Sequence, residues 1–117
     1  MFFRVFILSF LCTVISLGYA SEYECSKLAS TVDNAEKNYR PPLVAKVIGN
    51  SRLYFHSAPK SKCQIKGVFV INGDSLTVYK SYGNWANVMF ISKDGEDFIG
   101  WVQESKIKII GQYGRNP

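Results

Sequence analysis

Apolar positions fall into three regimes along the chain. A charge-free apolar run extends from Val5 to Leu17. Between Glu22 and Arg40, Leu28, Val32 and Ala35 recur at i, i+4 and i+7 with Tyr39 one turn further, the stripe of a short amphipathic helix. Ser26 is placed to cap that helix and Pro41-Pro42 to end it. Three turns are marginal alone, so the helix must dock on something. From Arg52 to Lys108 the period drops to two, the signature of strands with one face buried.

Turn residues divide that last region. Arg52–His56 is a strand with Leu53 and Phe55 on one face and Tyr54 and His56 on the other, ended by Ser57-Ala58-Pro59. Lys60–Lys66 reads as an exposed loop, and Val68–Ile71 as a second strand closed by the turn Asn72-Gly73-Asp74. Ser75–Tyr82 and Trp85–Ile91 follow, joined by Gly83-Asn84; Leu76 and Val78 set the inward phase of the former, whereas around Ala86 the phase of the latter is ambiguous. Asp94-Gly95 turns the chain into Asp97–Val102. Gln103-Glu104-Ser105 resembles a short helical turn before a closing strand at Lys106–Ile110. Five to six short strands with compact hairpins predict a small barrel whose closure would remove exposed sheet edges.

The leading segment changes what counts as mature protein. Arg4, the apolar run and Gly18-Tyr19-Ala20 have the layout of a secretory signal, so residues 1–20 are expected to be cleaved, leaving Ser21 first. A lipid anchor at Cys12 is the less favoured reading, because Phe10 and Leu11 precede that cysteine. The predicted layout is a signal at 1–20, a helical segment with a Pro-Pro linker at 21–42, a mainly β barrel at 43–111 and a flexible tail at 112–117. Export to the periplasm or medium places Cys25 and Cys63 in an oxidising compartment, where an even pair forms one disulfide. Of 14 basic residues only Arg4 is lost, so the mature chain has 13 against 9 acidic, a net +4. Scattered lysines at this density serve solubility rather than nucleic-acid binding.

Four pieces in order carry a family resemblance: Leu53–Pro59 (LYFHSAP), Gly73-Asp74 before an alternating strand, Gly83-Asn84-Trp85-Ala86-Asn87-Val88, and Gly100-Trp101-Val102 with Ser105-Lys106-Ile107. Together they resemble the bacterial SH3-like domain family over residues 45–110. The chain departs from the family pattern at His56-Ser57-Ala58-Pro59, where an Arg-Ser-Gly-Pro segment is usual. The resemblance implies an SH3-like barrel and a non-catalytic module that binds wall peptides or proteins. As a copy with no hydrolase attached, it implies an exported protein that binds a protein partner, with inhibition of a cell-wall-active enzyme or immunity against a toxin in view. The alternative is a peptidoglycan-binding accessory of the envelope.

Candidate residues follow from chemistry. Tyr54, His56, Tyr79, Tyr82 and Trp85 stand on strands that would border one shallow groove, and rings with polar tips anchor peptides. Trp101, between Gly100 and Val102, reads as core. Lys60, Lys62 and Lys66 form a basic loop suited to steering an acidic partner. A Cys-His nucleophile would need His56 in contact with a free Cys63 thiol and a third orienting group, so no catalytic residue is assigned. Asp74, Asp94, Glu96 and Asp97 stand at turns rather than as a facing pair. One histidine and no free thiol leave no metal site, and no cofactor is expected.

Overall fold

A computed structural model describes residues 16–32 and 37–114. The elements are a helix α1 (Ser16–Val32) and seven strands: β1 (Lys37–Val47), β2 (Leu53–His56), β3 (Gln64–Val70), β4 (Ser75–Tyr82), β5 (Trp85–Ile91), β6 (Asp97–Gln103) and β7 (Ile107–Gln112). Single 3-10 turns at Ser61–Cys63 and Glu104–Lys106 precede β3 and β7. Local chemistry sets the hairpins. At the β3–β4 turn Gly73 takes φ 90°, a left-handed value that favours glycine, and Asp74 Oδ2 accepts the Ile71 N–H at 2.9 Å.

All pairings are antiparallel and form one sheet in the order β3-β2-β6-β5-β4-β1-β7. Two expectations are thereby corrected: the strands number seven rather than five to six, and the barrel is not closed, because β3 and β7 end the sheet without pairing to each other. The seventh strand is β1, which includes the Pro41-Pro42 read from sequence as a linker. Proline is tolerated there because residues 39–42 leave the ladder: Asn38 pairs with Lys80, and the next pair is Leu43 with Val78.

The open edges are blunted by irregularity instead of closure. On β3, Tyr54 pairs with Phe69 and His56 with Gln64, so four residues of β3 face one of β2, and Gly67 absorbs the kink at φ 78°. On β7, Val44 pairs with Gly111 and Ala45 with Ile109, leaving Ile110 as an extra residue. Such bulges make an edge a poor template for another strand.

The sheet curls so that one face encloses a single core. Ala45, Val47, Leu53, Phe55, Val70, Leu76, Val78, Ala86, Val88, Val102 and Ile107 are buried together, drawn from all seven strands. Burying each larger side chain contributes about 1.5–3 kcal/mol. Gly100 belongs here for a steric reason: a Cβ on it would lie 3.1 Å from both the His56 carbonyl and Phe55 Cδ2. Ala86 and Val88 settle the phase of β5, which the sequence left ambiguous, and turn Trp85 outward.

α1 covers a different region. Cys25, Leu28, Ala29 and Val32 form its buried or half-buried side, and the first three pack with Ala58 and Cys63 of the β2–β3 connection. Cys25 and Cys63 are disulfide-bonded, with Cα atoms 5.7 Å apart, as expected. The helix starts at Ser16, so Ser26 is interior and not its N-cap, and Tyr39 lies on β1 rather than extending the helical stripe. Ala35, residues 1–15 of the expected signal and residues 115–117 of the expected tail lie outside the described residues. No helix among the described residues is long and apolar enough to cross a membrane.

Candidate functional site

The outer face of the sheet carries a continuous row. Asn38 of β1 pairs with Lys80 of β4, Lys80 with Asn87 of β5, Asn87 with Trp101 of β6, Trp101 with His56 of β2, and His56 with Gln64 of β3. Paired residues project to the same side, so six strands contribute to one line of side chains. Trp101 stands near its centre. Trp101 is 4% exposed, with Lys80 Nζ 6.0 Å over its ring centroid. The sequence placed Trp101 in the core; it is buried, but outside the cluster inside the curl.

His56 is the buried polar residue of the row, 2% exposed. Its Nδ1 lies 3.1 Å from the Trp101 carbonyl oxygen, and its ring meets Trp85 edge-on at 4.7 Å between centroids. A carbonyl only accepts, so Nδ1 carries the proton and donates. Burial pushes the imidazole below its ordinary 6.5, partly offset by the hydrogen bonds to the Trp101 and Tyr54 backbone. His56 is therefore neutral near pH 7 and acts as a structural support behind Trp85.

The five predicted groove residues divide. Trp85 and Tyr82 pair across the β4–β5 hairpin, Tyr82 exposed and Trp85 half-buried against His56. Tyr79 lies on the same face, its hydroxyl 3.4 Å from Met89 Sδ. Tyr54 packs on Phe69 of β3 at 5.5 Å, and Arg52 lies 4.5 Å over that Phe69 ring, a separate cluster at the sheet edge. Beside Trp85 an open depression of about 430 Å³ is lined by Asn84, Trp85, Gln103, Glu104 and Ser105. Further along the face Ile91 and Ile99 are 57% and 60% exposed, so the apolar character extends beyond the aromatic residues.

The basic loop is partly neutralised. Lys62 forms an ion pair with Glu24 of α1, which raises the lysine and lowers the carboxyl from their ordinary values, in each case first through the hydrogen bond between them. Lys60 and Lys66 are exposed, Lys66 on the edge strand β3. The Cys63 sulfur is bonded to that of Cys25, so it offers no thiol for His56 to activate. No group of His, Cys, Asp or Glu among the described residues is arranged to hold a metal ion.

Lys80, Asn87 and Arg40 were missed by the sequence reading. Asn87 neighbours the inward Val88, but the ambiguous phase of β5 hid its direction, and Lys80, two residues from the inward Val78, reaches the outer face only through the bulge at Tyr79. No protein-family model, curated protein or solved structure matches the chain.

Proposed function

We propose that this protein is an exported, non-catalytic binding module that holds a protein partner on the outer face of its sheet, around Trp85 and Tyr82. The partner in view is a cell-wall-active enzyme that it restrains, or a wall-degrading toxin against which it gives immunity. The observation that carries the reading is the outward pair Tyr82–Trp85, in contact with buried His56 and on the same face as exposed Ile91 and Ile99. A ring held from behind by a neutral, hydrogen-bonded imidazole loses little freedom on binding, which is what an interface anchor requires. The SH3-like assignment is part of the proposal; it is supported by antiparallel strands curled around one core and by the order of the turn motifs. Export is supported by the signal-like leader and by the disulfide, which suits an oxidising compartment.

Capture from a periplasmic extract tests it. The intact mature protein should retain one partner at stoichiometric amount, and Tyr82→Ala and Trp85→Ala should each weaken that retention by roughly 2 kcal/mol, about 30-fold. Retention by purified wall sacculi alone would refute the protein-partner reading. It would favour the alternative, a peptidoglycan-binding accessory, for which the depression beside Trp85, lined by amides, a hydroxyl and the Glu104 carboxylate, is the specific support.

A further inference from the structure

Two ladder irregularities meet at Tyr79. On one side Tyr39–Pro42 of β1 swing away from β4. On the other, Val78 pairs with Val88 and Lys80 with Asn87, so Tyr79 is the extra residue of a bulge toward β5. Bulges re-aim side chains and are frequent beside binding sites. Between them lies an open depression of about 440 Å³, walled by Asn38, Arg40 and Pro42 of β1, Tyr79 and Lys80 of β4, and Asn87 of β5. The displaced segment is held from behind: the Pro41 carbonyl accepts Gln112 Nε2 at 2.9 Å, and the Pro42 carbonyl accepts the Tyr113 N–H at 3.0 Å. The wall is thus preformed, which removes an ordering cost from binding.

The chemistry of the walls selects a ligand class. Their polar side chains are a guanidinium, an ammonium, two carboxamides and the phenols of Tyr39 and Tyr79, with no carboxylate of the described residues among them. Arg40 is exposed and makes no ion pair among the described residues. A guanidinium fork matches a carboxylate with two parallel hydrogen bonds, and carboxamides on neighbouring strands can meet the main chain of an extended segment. Glycan would instead need an open ring face, whereas both lining rings, Tyr39 and Tyr79, are half-buried with their hydroxyls turned to Ser81 and Met89.

We propose that this depression receives a carboxylate-bearing peptide segment of the partner, rich in Asp or Glu, with Arg40 as the clamp and Lys80 and Asn87 beside it. The proposal rests on the reading of the outer face as the partner surface and adds the partner's charge class.

Fluorescence anisotropy of a labelled decaglutamate peptide, with decalysine as the opposite-charge probe, tests it on the intact mature protein. Decaglutamate should bind and decalysine should not. Arg40→Gln should weaken binding about tenfold or more, the weight of a charge-assisted hydrogen bond, with Arg40→Lys recovering part of the loss. Lys93→Gln and Lys108→Gln remove the same charge elsewhere and should change affinity less than about twofold. Circular dichroism melting of Arg40→Gln should match the parent. Equal losses in all three charge variants, or no decaglutamate binding, would overturn the proposal. So would sacculus binding that needs Arg40 while decaglutamate fails, which would assign the depression to wall carboxylates. Partner capture lost in Trp85→Ala but retained in Arg40→Gln would overturn the clamp and leave the broader reading of the face intact.

Discussion

Acidification should be read out by one residue. The chain has a single histidine and two tryptophans, and His56 is hydrogen-bonded to the backbone of Trp101 and edge-on to the ring of Trp85. Since Nδ1 donates in both charge states, protonation adds a charge at Nε2 in a site 2% exposed. The folded state therefore binds that proton less readily than the unfolded chain, whose value is near 6.5. The sign follows: His56 costs no stability above about 6.5, and stability is lost as pH falls through the lowered folded value. The Lys62 ammonium holds the Glu24 carboxyl below its ordinary value, so its titration falls below this window. Protonated imidazole quenches indole, so tryptophan fluorescence should fall in a single transition with its midpoint below 6.5. His56→Gln keeps a donor for the Trp101 carbonyl but cannot titrate, and should abolish the transition. His56→Leu removes the imidazole's buried hydrogen bond to that carbonyl at a cost of about 1–3 kcal/mol, or roughly 5–20 °C in melting temperature for a domain of this size. A fluorescence transition that persists in His56→Gln, or a His56→Leu variant that melts with the parent, would refute the packing of His56 behind Trp85.

Other perturbations have expected outcomes. The disulfide closes a 38-residue separation, so Cys25→Ser with Cys63→Ser should cost up to about 4 kcal/mol by loop entropy, read as a lower midpoint in urea. A midpoint unmoved by reduction would mean that α1 and the sheet do not melt as one unit. Gly100→Ala pushes a methyl against the His56 carbonyl and the Phe55 ring, and should destabilise by about 1–3 kcal/mol in thermal denaturation. Val88→Ala, at a fully buried core position, should cost a similar amount while leaving decaglutamate affinity unchanged below its melting temperature.

Local chemistry carried much of the strand region. β4 and β5 have the predicted bounds, because Asn72-Gly73-Asp74 and Gly83-Asn84 are strong turn signals and Leu76 and Val78 alternate cleanly. β1 was not legible as a strand because two prolines normally end pairing; only the return of Leu43–Val47 between β4 and β7 makes their segment a bulge within a strand. The phase of β5 was ambiguous because both its faces are largely apolar, Val88 and Phe90 inward, Trp85 and Met89 outward. The candidate site was half legible: Tyr82 and Trp85 came together, Tyr54 went to another cluster, and Arg40, Lys80 and Asn87 emerged only from register.

What the chain determined by itself is what depends on neighbours in sequence: hairpin turns, alternation, the signal-like leader and two cysteines suited to pairing. What tertiary structure alone decided is which residues become neighbours across strands. Burial of His56, outward placement of Trp101 and meeting of the two bulges at Tyr79 depend on the registers of β1, β2, β4, β5 and β6. A one-residue slip in any register would send those side chains to the opposite face, and it is the shared core that forbids the slip.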